Sequence, residues 1–151
     1  MKFSKFQISL FTLLKLPSVW LCGIRVTSLE QSFCEAKVKH RWINQNPFNS
    51  MFWAVQGMAA ELTTGMLLMQ EIQISKRKVS MLVLNNKANF SKKAQGRITF
   101  SCNSADLITS AIKKLLETDK PQTLWLTSIG MDENNDLVST FEFEWTLLIK
   151  K

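Results

Sequence analysis

The sequence predicts an α+β fold in which one long apolar helix packs with a run of β-strands. Apolar residues recur at steps of three and four over residues 50–70, which is the spacing of one helix face. Several later segments alternate apolar and polar residues, which is typical of half-buried strands. A shorter amphipathic helix interrupts these strands. No repeat or linker divides the chain, so we expect a single domain over residues 1–151.

The N-terminal segment, residues 1–16, predicts a short amphipathic helix that ends before Pro17. Its apolar residues share one helix face: Phe3, Phe6, Leu10, Leu13 and Leu14. Polar residues dilute this stretch and no small-residue cleavage site follows it, so it does not fit a secretory signal. No segment reaches the roughly 18 uninterrupted apolar residues of a membrane helix, and we therefore expect no membrane span.

A pair of strands follows the N-terminal helix. The first is predicted over residues 24–29 and the second over residues 32–39, where apolar and charged residues alternate. Residues 42–50 predict a loop, in which Asn46-Pro47 and Asn49-Ser50 supply cap chemistry for the next helix.

The long helix, expected over residues 50–70, carries two stripes. The apolar stripe contains Met51, Val55, Met58, Leu62, Met66 and Met69. The neighbouring stripe is built of small residues around Glu61: Ala54, Gly57 and Gly65. A glycine inside a helix costs roughly 1 kcal/mol relative to alanine, so we infer that this stripe lets another backbone or a slender ligand approach closely.

Glu61 is the only charged residue between residues 42 and 70. A carboxylate in an apolar helix is costly unless it is paired or neutralised. It therefore has either a cationic structural partner or a chemical use, and the sequence leaves both explanations open.

The rest of the chain predicts strands with one helix between them. The strands are expected over residues 79–84, 97–102, 124–129 and 138–149. Between the second and third of these, an amphipathic helix begins at a capping pair, Asn103 with Asp106, and ends at Lys120 before Pro121. Residues 132–136 form the turn of a closing hairpin.

The cysteine and histidine contents exclude several kinds of site. Cys22, Cys34 and Cys102 are too few and too scattered for a disulfide framework or a zinc knuckle. We expect free thiols in a reducing, cytoplasmic compartment. A single histidine, His40, argues against histidine-based catalysis and zinc chemistry, so we expect neither a metal nor a bound cofactor.

The net charge of +7 is concentrated in one block, since residues 72–105 contain no acidic residue. The basic residues in the block are Lys76, Arg77, Lys78, Lys87, Lys92, Lys93 and Arg97. Such a block suits nucleic acid, an acidic membrane surface or the phosphates of a nucleotide-like ligand. A solvated strand edge kept free of aggregation by lysine is an equally simple interpretation.

The order of short helix, strand pair, long helix and strands resembles the hotdog fold, an antiparallel sheet wrapped around a central helix. Residues 60–65 (AELTTG) resemble the second half of a helix signature of phenylacetate-pathway and hydroxybenzoyl-CoA thioesterases, with Glu61 on its acidic position. Residues 89–98 are similar to the strand-and-turn segment of that superfamily. Phe52-Trp53-Ala54 stands where those enzymes have His-Gly-Gly. The segment Asn46-Pro47-Phe48-Asn49-Ser50, followed by a helix that contains Ala-Glu and a glycine, more closely resembles the uncharacterised thioesterase-like branch.

This resemblance implies an acyl-CoA or acyl-carrier thioesterase, a homodimer or homotetramer, with Glu61 as general base or nucleophile. Coenzyme A would be part of the substrate. Asn49 and Ser50 would orient the substrate, and Thr64 and Gly65 would contact its acyl group or a partner subunit. The residues implied to meet coenzyme A phosphates are Lys92, Lys93 and Arg97.

Two alternatives remain open. The first is a non-catalytic protein of the same fold that binds acyl thioesters or lipids, which the missing His-Gly-Gly favours. The second is a basic nucleic-acid-binding module. The sequence disfavours this second alternative, because the basic block lacks interleaved exposed aromatic residues of the stacking kind, apart from Phe90, and matches no binding motif.

Overall fold

The computed structural model describes residues 4–150, which form one antiparallel sheet packed with α-helices and so confirm the α+β prediction. Phe3, assigned above to the first helix, lies outside the described residues. The helices are α1 (Lys5–Lys15), α2 (Pro17–Leu21), α3 (Trp53–Ser75) and α4 (Ala105–Thr118). The strands are β1 (Arg25–Leu29), β2 (Cys34–Lys39), β3 (Val79–Phe90), β4 (Arg97–Cys102), β5 (Gln122–Met131) and β6 (Leu137–Ile149).

The six strands lie in the order β1-β2-β4-β5-β6-β3, and each neighbouring pair is antiparallel. The long helix α3 packs against β1, β2, β4, β5 and β6, and α4 packs against α3, β5 and β6. The apolar core therefore lies between the helices and one face of the sheet. Cys34 and Cys102 are buried partners across β2 and β4, and both thiols are free.

The N-terminus of α3 differs from the prediction. The helix begins at Trp53, and Phe52 occupies the capping position without a side-chain hydrogen bond. Asn49 and Ser50 do not cap it. Instead, the Asn46 carboxamide oxygen accepts hydrogen bonds from the backbone N–H groups of Phe48 and Ser50, which folds the loop on itself.

Aromatic rings of β6 pack against the two glycines of α3. A Cβ atom on Gly57 would lie 3.4 Å from Phe141 Cε1, and one on Gly65 would lie 3.5 Å from Trp145 Cη2. The sequence predicts that another backbone or a slender ligand approaches this stripe, but the observed neighbours are aromatic side chains of β6 at ordinary contact distances. A buried hydrogen bond of 2.8 Å between Thr63 Oγ1 and Ser128 Oγ also ties α3 to β5.

Three other elements differ from the sequence prediction: β3, α2 and the start of α4. β3 continues to Phe90 and pairs with β6 along its length, although its second half is polar and exposed and shows no apolar alternation. The helix α2, which the sequence analysis did not predict, begins at Pro17, because proline is favoured in the first turn of a helix. Ser104 precedes α4 without a side-chain cap, so the expected pair of Asn103 with Asp106 is wrong.

Gly130 on β5 is the position where a side chain would be least tolerated. A Cβ atom there would lie 2.6 Å from Cε1 of Phe100, which is fully buried and cannot move aside. We expect Gly130→Ala to lower the free energy of unfolding by about 1 to 3 kcal/mol through overpacking. Gly57→Ala is the matched control, because its new methyl group makes an ordinary contact and alanine favours the helix. Equal stability of the two variants in urea unfolding would contradict this account.

Candidate active site

Glu61 lies on α3 beside a cavity of about 180 Å³. Its side chain reaches solvent, whereas most residues on either side of it along the helix are buried. The remaining cavity walls are apolar side chains and one glycine from α1, the α1–α2 junction, α2, α3, β3 and β6. They are Phe11, Leu16, Val19, Met58, Leu62, Gly65, Met66, Met69, Met81 and Trp145.

The Glu61 carboxylate has apolar surroundings. Among the side chains that the structure describes, none forms an ion pair or a hydrogen bond with it. The surrounding atoms desolvate the carboxylate and thereby raise the pKa of Glu61. A structural ion pair of Glu61 within this part of the chain is therefore absent.

Thr64 and Gly65 follow Glu61 on α3, but only Gly65 lines the cavity. The Thr64 hydroxyl is buried, donates to the Glu61 backbone carbonyl at 2.9 Å and accepts from Trp145 Nε1 at 3.1 Å. It therefore holds the Trp145 ring in place and is not itself part of the cavity wall. Gly65 lines the cavity directly, against the same ring.

A second hollow, of about 300 Å³, lies near the start of α3 and contains other predicted binding residues. Ser50, Lys92 and Lys93 line it together with Trp53 and Phe90. Glu61 lies about 12 Å further along the helix axis than Trp53, at 1.5 Å per residue. Within one chain, the predicted substrate-binding residues are thus divided between two places.

Asn49 and Arg97 line neither of these two hollows. Asn49 is exposed and adopts a left-handed backbone conformation with φ of 57°, and its carbonyl accepts a hydrogen bond from Gln95 Nε2 at 2.8 Å. The Arg97 guanidinium lies 3.7 Å from a Glu133 carboxylate oxygen.

The basic block meets acidic residues that are distant in sequence. Lys92 Nζ lies 2.7 Å from Asp132 and 3.0 Å from Asp136, in the turn between β5 and β6, and these contacts raise the pKa of the lysine. Lys93 Nζ donates to the Phe48 carbonyl at 3.2 Å, and it has no acidic partner among the described side chains. The charge of Lys93 is consequently the one least compensated by the protein at the second hollow.

The sequence analysis named the α3 residues of the Glu61 cavity wall but did not find the walls supplied by other elements. These walls come from segments that are distant in sequence and include Phe11, Leu16, Met81 and Trp145. An apolar residue in a sequence does not indicate whether it will pack in the core or line a cavity.

Residues 4–150 contain no cluster of three or more side chains suited to holding a metal ion. None of the helices in that part of the chain is both long and apolar enough to span a bilayer.

The sequence matches the domain of unknown function DUF4442 over residues 4–147. The chain belongs to this family. A search of curated proteins found no match.

Solved structures place the DUF4442 chain in the hotdog fold, as the resemblance predicted. A Pseudomonas aeruginosa protein of unknown function, named a probable thioesterase, is 21% identical, with 99% of each chain covered and a TM-score of 0.84. A Chlorobaculum tepidum protein of unknown function is 13% identical, with 97% of this chain and 98% of that one covered and a TM-score of 0.82. A Haemophilus influenzae thioesterase is 14% identical, with 99% and 93% covered and a TM-score of 0.72.

The raised pKa of Glu61 predicts a pH-dependent stability effect. The ionised carboxylate destabilises the fold above its folded-state pKa, and protonation removes that penalty as the pH falls. We expect Glu61→Gln, which mimics the protonated group, to raise the melting temperature slightly at neutral pH, because solvent contact of the carboxylate screens most of the penalty. The gain should vanish below the ordinary glutamate value of 4.5. Thermal unfolding across this range, with Glu71→Gln on the same helix as control, checks the effect; a gain independent of pH would contradict it.

Proposed function

We propose that this member of the DUF4442 family is a thioester hydrolase that acts on an acyl-CoA or acyl-carrier substrate with Glu61 as its catalytic carboxylate. The observation that supports this proposal is the unpaired, partly desolvated Glu61 carboxylate at the edge of an apolar cavity. The thioesterase names of two proteins with the same fold agree with it.

The cavity suits the acyl part of such a substrate. Four methionines line it, and the flexible, polarisable methionine side chain adapts to chains of different shape. The indole of Trp145 closes one side, held by its hydrogen bond to Thr64. An acyl chain in this cavity would bring its thioester carbonyl close to Glu61.

Glu61 would act as a general base on water. The carboxylate takes a proton from a water molecule, whose oxygen attacks the carbonyl carbon of the thioester. The tetrahedral intermediate then breaks its C–S bond and expels the thiolate, which takes up the proton held by Glu61. The products are a carboxylic acid and a thiol. A pKa raised by desolvation brings a carboxylate closer to the range in which it accepts protons effectively at neutral pH.

The carbonyl oxygen also needs hydrogen-bond donors as negative charge develops on it. The free N–H groups at the start of α3 are natural donors, but in the same chain they lie about 12 Å along the helix from Glu61. We therefore propose that the site is shared between subunits of a homodimer or homotetramer, so that one subunit supplies Glu61 and another supplies its helix N-terminus.

Hydrolysis of a panel of acyl-CoAs, followed by release of the free thiol, tests the catalytic role. We expect Glu61→Gln to lower kcat/KM at least about a hundredfold, the scale expected when a general acid-base group is removed. Glu71→Gln removes a carboxylate from the same helix away from the cavity and should keep the wild-type rate. Turnover that survives in Glu61→Gln would overturn the assignment.

A non-catalytic acyl-thioester-binding protein is the second candidate function. Phe52-Trp53-Ala54 at the start of α3 favours it, because the exposed Phe52 and Trp53 side chains occupy positions where the related enzymes have His-Gly. Calorimetric titration with a thioether analogue of an acyl-CoA separates the two candidates. Binding of the analogue by a wild type that releases no thiol from any acyl-CoA would support the binding protein.

Lys93 is the proposed contact for the phosphates of coenzyme A. We expect Lys93→Ala to raise KM for an acyl-CoA by about three- to tenfold, more strongly at low salt, because an exposed charge-assisted contact is lost. KM for the same acyl group on N-acetylcysteamine, which has no phosphate, should not change. Lys114→Ala on α4 is the control for an exposed lysine. Equal effects on both substrates would contradict the phosphate contact.

A further inference from the structure

Helix α1 has two apolar faces. On the inner side, Ile8 and Thr12 are buried against the rest of the protein, and Phe11 lines the Glu61 cavity. On the outer side, four large apolar residues follow the spacing of a single helix face. They are Phe6, Leu10, Leu13 and Leu14, with 76%, 43%, 41% and 66% of their surfaces exposed.

The amphipathic face that the sequence predicts for this helix therefore points to solvent. Exposing four neighbouring apolar side chains is costly, and contiguous patches of this kind mark sites of interaction. The next helix, α2, also exposes an apolar residue, Leu21, at 61%. We call the surface of Phe6, Leu10, Leu13 and Leu14 the outer face of α1.

The charged residues of the N-terminal segment have one sign. From residue 1 to residue 29 every charged residue is basic: Lys2, Lys5, Lys15 and Arg25. Lys15 is exposed and directly follows Leu14 at the C-terminus of α1. Apolar residues on one side of a helix together with nearby lysines are typical of helices that lie in the interface of an anionic membrane.

We propose that the outer face of α1 docks this protein on an anionic lipid bilayer, with the helix axis parallel to the membrane surface. The leucine and phenylalanine side chains enter the region between headgroups and acyl chains, while the lysines contact anionic headgroups. None of the helices described in residues 4–150 could cross a bilayer, so the attachment is peripheral.

A second copy of the chain fits this face less well. A two-fold interface brings the same patch of both subunits together, so its charges must complement themselves. Here the charges supplied by the N-terminal segment are all basic, and pairing two such patches would place like charges near each other. An anionic bilayer covers the same apolar residues and also neutralises the lysines.

Docking would also bring the cavity close to the membrane. Phe11 on the inner side of α1 and Leu16 at its C-terminal end both line the cavity beside Glu61. Only the thickness of one helix, about 10 Å, would then separate that cavity from the bilayer. The docking itself does not depend on any hydrolytic activity.

Flotation of the full chain with vesicles tests the proposal. We expect binding to equimolar phosphatidylcholine and phosphatidylglycerol vesicles, and at least about tenfold weaker binding to phosphatidylcholine alone. The double variant Leu10→Gln with Leu14→Gln should bind the anionic vesicles at least about tenfold more weakly than the wild type. Leu107→Gln with Leu116→Gln is the matched control, since both leucines are exposed on α4, and it should bind normally.

The charge contribution is tested separately with Lys15→Glu, which leaves the apolar face intact. It should weaken binding to anionic vesicles about tenfold and leave the far-ultraviolet circular dichroism unchanged. Wild type that stays unbound, or an α1 double variant that binds like wild type, would overturn the proposal. So would a wild-type dimer that the same double variant converts to a monomer in sedimentation without vesicles, because a second copy would then cover the face.

Discussion

The packing of α3 on the aromatic side chains of β6 is the constraint on which the rest of the structure depends. Gly57 admits the Phe141 ring and Gly65 admits the Trp145 ring, so the helix lies close to the sheet. Buried polar contacts complete this interface, including a hydrogen bond of 2.9 Å between Ser139 and Gln56. Glu61 lies on the same stripe, about one turn from each glycine, and lines the cavity together with residues of α1, α2, β3 and β6.

The placement of Glu61 lowers the stability of the folded state. A desolvated carboxylate without a cation weakens the folded state, and a structural role would be served better by a paired or apolar side chain. The surrounding methionines and aromatic residues bring no polar group that would compensate the carboxylate. This combination is typical of a site where reactivity takes precedence over local stability.

Part of the positive charge of the basic block is neutralised by tertiary contacts with acidic residues. Residues 72–105 contain no acid, but the fold brings Asp132, Glu133 and Asp136 from the β5–β6 turn against Lys92 and Arg97. Much of the apparent anion-binding charge around this turn is thereby balanced within the protein. That balance weakens the case for nucleic acid as a partner, and it leaves Lys93 as the clearest cation at the second hollow.

The sequence by itself determined the elements whose signal is periodic and local: the long helix, the alternating strands β2 and β6, and the helix α4 were all found close to their observed bounds. It also singled out Glu61, because one charge in a long uncharged segment is visible without any knowledge of contacts. The likeness of residues 60–65 to a known helix signature then indicated the hotdog fold.

Only the tertiary structure decided which side of each element faces solvent and which distant residues meet. Periodicity defines the apolar face of α1 but not its direction, and packing turned Phe6 and Leu14 outward while Ile8 faced the core. The polar second half of β3 became a strand because β6 supplies its hydrogen bonds. The cavity beside Glu61 and the ion pairs of Lys92 depend on contacts between segments far apart in the chain, and such contacts leave no local pattern in a single sequence.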